Sequence, residues 1–168
     1  GSTMPASANL SNSGTILVYS PTASFVSGVV MGQVAANSGG LPSSFKLNNS
    51  GTIQLDTNPA KGWVVELYPN SVTNVSFDID NSGSLLAKDR SGWAVVLNGG
   101  AAKVTLNNTG TIVGSIWTES GNDQVTQTAG SISGDISLGA GSDALIASGG
   151  ALIGSTYMGA GDDVASLT

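Results

Sequence analysis

The chain has no cysteine and no histidine. The first absence excludes disulfides as a source of stability. The second removes the commonest general base and the commonest metal ligand together. Charge is scarce as well: 10% of residues carry one, against roughly 25% in an ordinary soluble domain. The basic residues are Lys46, Lys61, Lys88, Arg90 and Lys103, scattered through the first two thirds. No basic stripe is available to neutralise phosphates, so nucleic acid is not an expected partner. No stretch approaches the roughly 20 consecutive apolar residues of a membrane span. The opening Gly1-Ser2-Thr3-Met4 reads as a cloning remnant and carries no information on targeting.

What replaces the charges is small and neutral. There are 24 glycines with a surplus of Ser, Thr and Asn, an apolar fraction of 40% and a net charge of -6. Disordered chains combine low hydrophobicity with high net charge, and neither condition holds.

The C-terminal third repeats with a fixed period. The segments G-T-I-V-G-S-I-W, G-S-I-S-G-D-I-S and G-A-L-I-G-S-T-Y start at Gly110, Gly130 and Gly150. Gly114, Gly134 and Gly154 keep step, as do Gly121, Gly141 and Gly161, and Asp123, Asp143 and Asp163. A fixed period of this length marks stacked units, none of which can bury its apolar face alone. Within each unit the apolar residues alternate, β-branched residues are frequent, and Gly, Asn and Asp cluster between the runs, so the units are built of short strands. On stacking, Ile112, Ile132 and Leu152 form one inward column. Ile116 and Ile136 form a second that breaks at Thr156, and Val125, Leu145 and Ala165 form a third.

The first half follows the same plan with insertions. An N-[ST]-G-[TS]-[IL] element recurs at 12–16, 49–53, 81–85 and 108–112, and the interval between its glycines Gly14, Gly51, Gly83 and Gly110 shortens at every step. The predicted fold is all-β: a right-handed parallel β-helix with about 20 residues per coil in the C-terminal part and longer, loop-bearing coils before it. After the remnant at 1–4, residues 5–109 form the irregular coils and 110–168 the regular ones, as one continuous domain. Insertions in stacked repeats leave the coil as outer loops, where function concentrates. The segments 34–44, 57–62 and 70–74 are therefore candidate contact loops.

The spaced G-[TS]-I-x-G-x-I and G-x-G-x-D blocks with their N-x-G-T-I turns resemble the passenger region of bacterial autotransporters, from about Asn12 to the end. The resemblance implies display at the surface of a Gram-negative bacterium, or secretion from it, with an outer-membrane barrel in the parent protein. It also implies adhesin-like binding to a host or bacterial surface partner, whether a cell-surface or matrix protein or a glycan. A structural stalk or folding seed is a second reading, and self-association through the open coil ends a third property to expect.

Candidate chemistry is thin. The G-A-G-x-D turns invite comparison with calcium-binding repeats, which would make Asp123, Asp143 and Asp163 surface Ca²⁺ ligands. Those repeats are nonapeptides, however, and a structural role in which Asp bonds nearby amides is the better-supported reading of the longer period found here. No other cofactor is expected. Asn49, Asn81 and Asn108 precede their turn glycines and are placed to form a stacked amide ladder. A carbohydrate-active enzyme would need clustered carboxylates with a basic residue, and Asp78 and Asp80 with Lys88 and Arg90 are the only grouping that offers them. No G-x-S-x-G elbow occurs, and a triad cannot form without histidine. No catalytic residue is therefore assigned. Trp63 and Trp93 each follow a glycine, Gly62 and Gly92, at equivalent positions. Trp117 aligns with Ser137 and Tyr157, positions of mixed polarity that face outward. Trp63, Trp93, Trp117 and Tyr157 are the candidate partner-binding residues.

Overall fold

The computed structural model describes residues 7–20, 25–32, 44–57, 62–69 and 75–168. Each coil contributes three strands. The first coil holds β1 (Ser7–Asn12), β2 (Thr15–Ser20) and β3 (Val26–Gly32), and the second β4 (Ser44–Asn49), β5 (Thr52–Thr57) and β6 (Gly62–Tyr68). The third has β7 (Ser76–Asn81), β8 (Ser84–Leu86) and β9 (Trp93–Leu97); the fourth has β10 (Lys103–Asn108), β11 (Thr111–Val113) and β12 (Ser115–Trp117). The fifth comprises β13 (Gln124–Gln127), β14 (Ser131–Ser133) and β15 (Ile136–Ser137), and the sixth β16 (Ala144–Ala147), β17 (Ala151–Ile153) and β18 (Thr156–Tyr157). The strand β19 (Val164–Leu167) opens a seventh.

Every third strand pairs with its equivalent, and every pairing is parallel. Sheet A runs β1-β4-β7-β10-β13-β16-β19, sheet B is built from β2, β5, β8, β11, β14 and β17, and sheet C from β3, β6, β9, β12, β15 and β18. The chain is thus a parallel β-solenoid, as the repeat predicted. Neighbouring coils are separated by about 4.8 Å, the hydrogen-bonding distance between strands.

The columns expected from the repeat stack in register. Ile112 pairs with Ile132 and that with Leu152; Ile116, Ile136 and Thr156 align; so do Val125, Leu145 and Ala165. In the larger coils sheet A turns Phe45 and Leu47, then Phe77 and Ile79, then Val104 and Leu106 inward. The rings of Phe45 and Phe77 stack at 5.2 Å. Alternation explains this directly: in β4 and β7 every second residue is buried, so one face of each strand supplies the core and the other faces out.

At the corner between sheets A and B the chain turns on the N-S-G-T element. The buried Asn side chains form a continuous relay. Asn12 Nδ2 donates to Asn49 Oδ1 at 2.8 Å, Asn49 to Asn81 at 2.7 Å, Asn81 to Asn108 at 2.7 Å, and Asn108 to Gln127 Oε1 at 2.6 Å. Each ladder Asn thereby satisfies a polar group that would otherwise be costly to bury. The relay is one rung longer at each end than Asn49, Asn81 and Asn108 alone. Gln127 belongs to it because its turn is longer by a single position: Asn108 leads to Thr111, whereas Gln127, its register partner, leads to Ser131, the register partner of Thr111. The extra methylene of Gln spans the longer corner. In the next coil Ala147 stands at this position and the relay stops.

Candidate functional site

Outward-facing residues of sheet C form columns of their own. One runs Val30, Glu66, Val96, Trp117, Ser137 and Tyr157, each paired with the next through the parallel register. Beside it Trp63 pairs with Trp93, and Trp93 with Ser115. The four aromatic residues expected to face a partner therefore lie on one sheet. Trp63 and Trp93 are half-buried. Trp117 is 40% exposed and Tyr157 58% exposed.

Two aromatic contacts organise this face. The Phe25 ring meets Trp63 edge-on at 4.4 Å, and the Trp93 and Trp117 rings lie 5.6 Å apart at 34°. Counting from their glycines does not foresee the second contact, because the register shifts between Ser115 and Ile116: Ser115 aligns with Trp93, but Ile116 aligns with Val95. Ala94 is the extra residue. The bulge lets Trp117 lie over the buried Val96 and turn its ring towards Trp93.

Between these rings and Tyr157 lies an open groove of about 290 Å³, floored by Ile116 and bordered by Asp135 and Ser137. A second hollow of about 530 Å³ continues it past Trp93 and Ser115 to Arg90 and Ser91. Polar groups at its rim are held in place. Asp135 N–H donates to Ser115 Oγ at 3.2 Å, and Asp135 Oδ1 accepts the Ser155 amide at 2.8 Å. Arg90 Nη2 donates to the Ile153 carbonyl at 3.1 Å, so the 88–91 turn reaches along the corner between sheets B and C.

The Asp column has a structural task. Asp123 Oδ1 accepts the Val104 amide at 2.7 Å, Asp143 Oδ1 accepts the Asp123 amide at 2.8 Å, and Asp163 Oδ1 accepts the Asp143 amide at 3.0 Å. Each carboxylate thus pins its coil to the one before. Asp123 and Asp143 are 2% exposed, and the second oxygen of each is buried with no hydrogen-bond partner. Burial pushes the Asp123 carboxyl up to about 6 and raises that of Asp143 as well. A calcium site needs six to eight oxygens converging on one point. Here one carboxylate is supplied per coil with an oxygen already committed to an amide, and among the described residues no group of three or more acidic, Cys or His side chains is placed to hold a metal ion.

The grouping of Asp78 and Asp80 with Lys88 and Arg90 is not assembled. The two aspartates stand on the outer face of sheet A, whereas 88–91 joins sheet B to sheet C on the far side of the coil. Asp80 instead pairs with Lys46 at 2.6 Å and accepts from Asn107 at 2.9 Å. The hydrogen bond from Lys46 lowers its pKa and the one from Asn107 adds to the effect. With the carboxylates, Asn48 and Asn107 border a shallow polar groove of about 470 Å³ along the corner of sheets A and B. Of the candidate contact loops, residues 34–43, 58–61 and 70–74 lie outside the described residues.

No family model, no characterised protein and no solved structure matches this chain.

Proposed function

We propose that this chain is a segment of a surface-displayed or secreted passenger of the autotransporter kind, working as an adhesin-like scaffold for a host or bacterial surface partner. The observation that carries the reading is the collection of aromatic side chains on the outer face of sheet C. A solenoid needs no solvent-exposed Trp or Tyr for its own stability, and the equivalent position Ser137 shows that a small polar residue fits the same site. Exposed aromatics beside fixed polar groups are the composition of a contact surface. The cysteine-free sequence and the narrow, low-charge coil also suit export through an outer-membrane pore.

The regular coils from Gly110 onward favour a second reading as a stalk, since their turns carry no insertions. Binding of the purified chain to epithelial cells, immobilised matrix proteins and bacterial cells separates the two. The double variant Trp117→Ala/Tyr157→Ala should lower binding by about tenfold or more with thermal stability little changed. A chain that binds none of these surfaces, or binds them equally well as the double variant, is a stalk.

A further inference from the structure

We infer that the sheet C groove is a glycan site, built for a neutral, linear chain of flat pyranose rings lying along the solenoid axis. The inference rests on the binding role proposed above and names the class of ligand for it.

Three observations converge on this occupant. The first is spacing. Trp117, Ser137 and Tyr157 occupy one column, so the two aromatic rings stand two coil rises apart, about 9.6 Å. That matches the length of a disaccharide unit in an extended, equatorially linked chain. A sugar stacked on Trp117 and another on Tyr157 would thus belong to one oligosaccharide, with the intervening linkage passing over Ser137. The second is the mixture of groups. Aromatic faces meet the apolar C–H face of a pyranose, while its ring hydroxyls require paired donors and acceptors at the sides. Asp135, with Oδ1 fixed by the Ser155 amide, and Ser137 supply these beside the rings, and Ser91 and Arg90 supply them farther along the same groove. The bond from Arg90 to the Ile153 carbonyl holds its guanidinium over the groove's side.

The third observation is charge. One cation and one carboxylate border the groove, Arg90 and Asp135, so its local charge balances. The whole chain carries -6. An acidic polysaccharide would meet that field with a single guanidinium to offset it, and a basic peptide would find no cluster of acids on this face. A neutral glycan is the occupant that suffers neither penalty. The groove is also open at its sides, so a long chain can lie across several coils without its ends being enclosed.

Cellohexaose, mannohexaose and N-acetylchitohexaose serve as neutral probes, and hexagalacturonate as the acidic one. Titration of each into the intact chain is followed by calorimetry and by tryptophan fluorescence, which reports on Trp93 and Trp117. At least one neutral hexasaccharide should bind and perturb the fluorescence, with hexagalacturonate binding at least tenfold more weakly. Trp117→Ala should reduce affinity by about tenfold or more, Tyr157→Ala and Asp135→Asn severalfold, and Trp117→Phe should retain part of it. Tyr157 is exposed in the last coil, so its replacement keeps the test available if Trp117→Ala disturbs folding. Disaccharides should bind more weakly than hexasaccharides if both rings are engaged. Glycan binding that survives Tyr157→Ala and Trp117→Phe unchanged would overturn the placement, and preference for hexagalacturonate would overturn the charge argument. If no hexasaccharide binds but attachment to cells or matrix still depends on Trp117 and Tyr157, the glycan inference fails while the scaffold reading stands.

Discussion

Asp123 is the residue whose environment departs furthest from that of an ordinary surface side chain. Its carboxyl is 2% exposed and receives one amide, and its second oxygen has no donor. The nearby Thr118 hydroxyl gives its own proton to the Leu138 carbonyl at 3.0 Å, so it offers Asp123 a lone pair rather than a hydrogen. A protonated acid has a partner there and a carboxylate does not, which agrees in sign with the rise to about 6. The linkage follows. Between the unfolded value of 3.8 and about 6 the folded chain holds a proton that the unfolded chain has released. The contribution of Asp123 is therefore fully present below the unfolded value and is lost as pH rises through the folded one. The loss is on the order of 2–3 kcal/mol when the group is fully ionised. Asp143 acts in the same direction. Urea unfolding of the parent and of Asp123→Asn at pH 4, 5, 6 and 7 measures the effect. Asn keeps the acceptor for the Val104 amide and removes the titration, so the parent should lose stability relative to Asp123→Asn as pH rises across this window. A constant difference between the two would show that Asp123 titrates normally.

At the scale of elements, the A–B corner decides how closely coils approach. A Cβ built on Gly83 would lie 2.0 Å from the Gly51 carbonyl oxygen, and one on Gly110 would lie 2.1 Å from that of Gly83, whereas at Gly14 nothing comes within 4 Å. The same motif thus carries very different constraints. Gly83→Ala should destabilise by about 3 kcal/mol or more, because backbone and not a movable side chain blocks the methyl group. Gly14→Ala should cost well under about 1 kcal/mol, and chemical denaturation distinguishes the two. This corner was legible in the sequence, since N-S-G-T recurs with its Asn and Gly at fixed offsets. The inward columns of the regular coils were legible for the same reason: the period is constant from Gly110 onward and nothing interrupts it. Sheet C was not read correctly by counting, because Ala94 adds a residue to β9 and offsets everything after it from the glycine. The contact between Trp93 and Trp117 depends on that bulge. The Asp column was visible as a period, but its unpartnered oxygens were not, since they depend on which neighbours close over each turn.

For the molecule as a whole, coil spacing does not depend on how much sequence a coil contains. The outward column of sheet A makes this explicit. Ser11, Asn48, Asp80, Asn107, Thr126, Ile146 and Ser166 are consecutive register partners. The step from Ser11 to Asn48 takes nearly twice as much chain as the step from Ile146 to Ser166, yet each step is one strand spacing of about 4.8 Å. The proposed glycan site rests on the same regularity, since it alone sets the distance from Trp117 to Tyr157. The chain lacks cysteine, so spin labels can be introduced at chosen pairs without other changes. Pulsed electron–electron distance measurements on Ser166 paired in turn with Ser11, Asn48 and Asn107 test the central claim most directly. The stacked account predicts narrow distributions in which the Ser11 and Asn48 distances differ by about one strand spacing and the Asn48 and Asn107 distances by about two. Distances that instead grow with the length of chain between the labels, or broad distributions from Asn48 and Asn107, would contradict it.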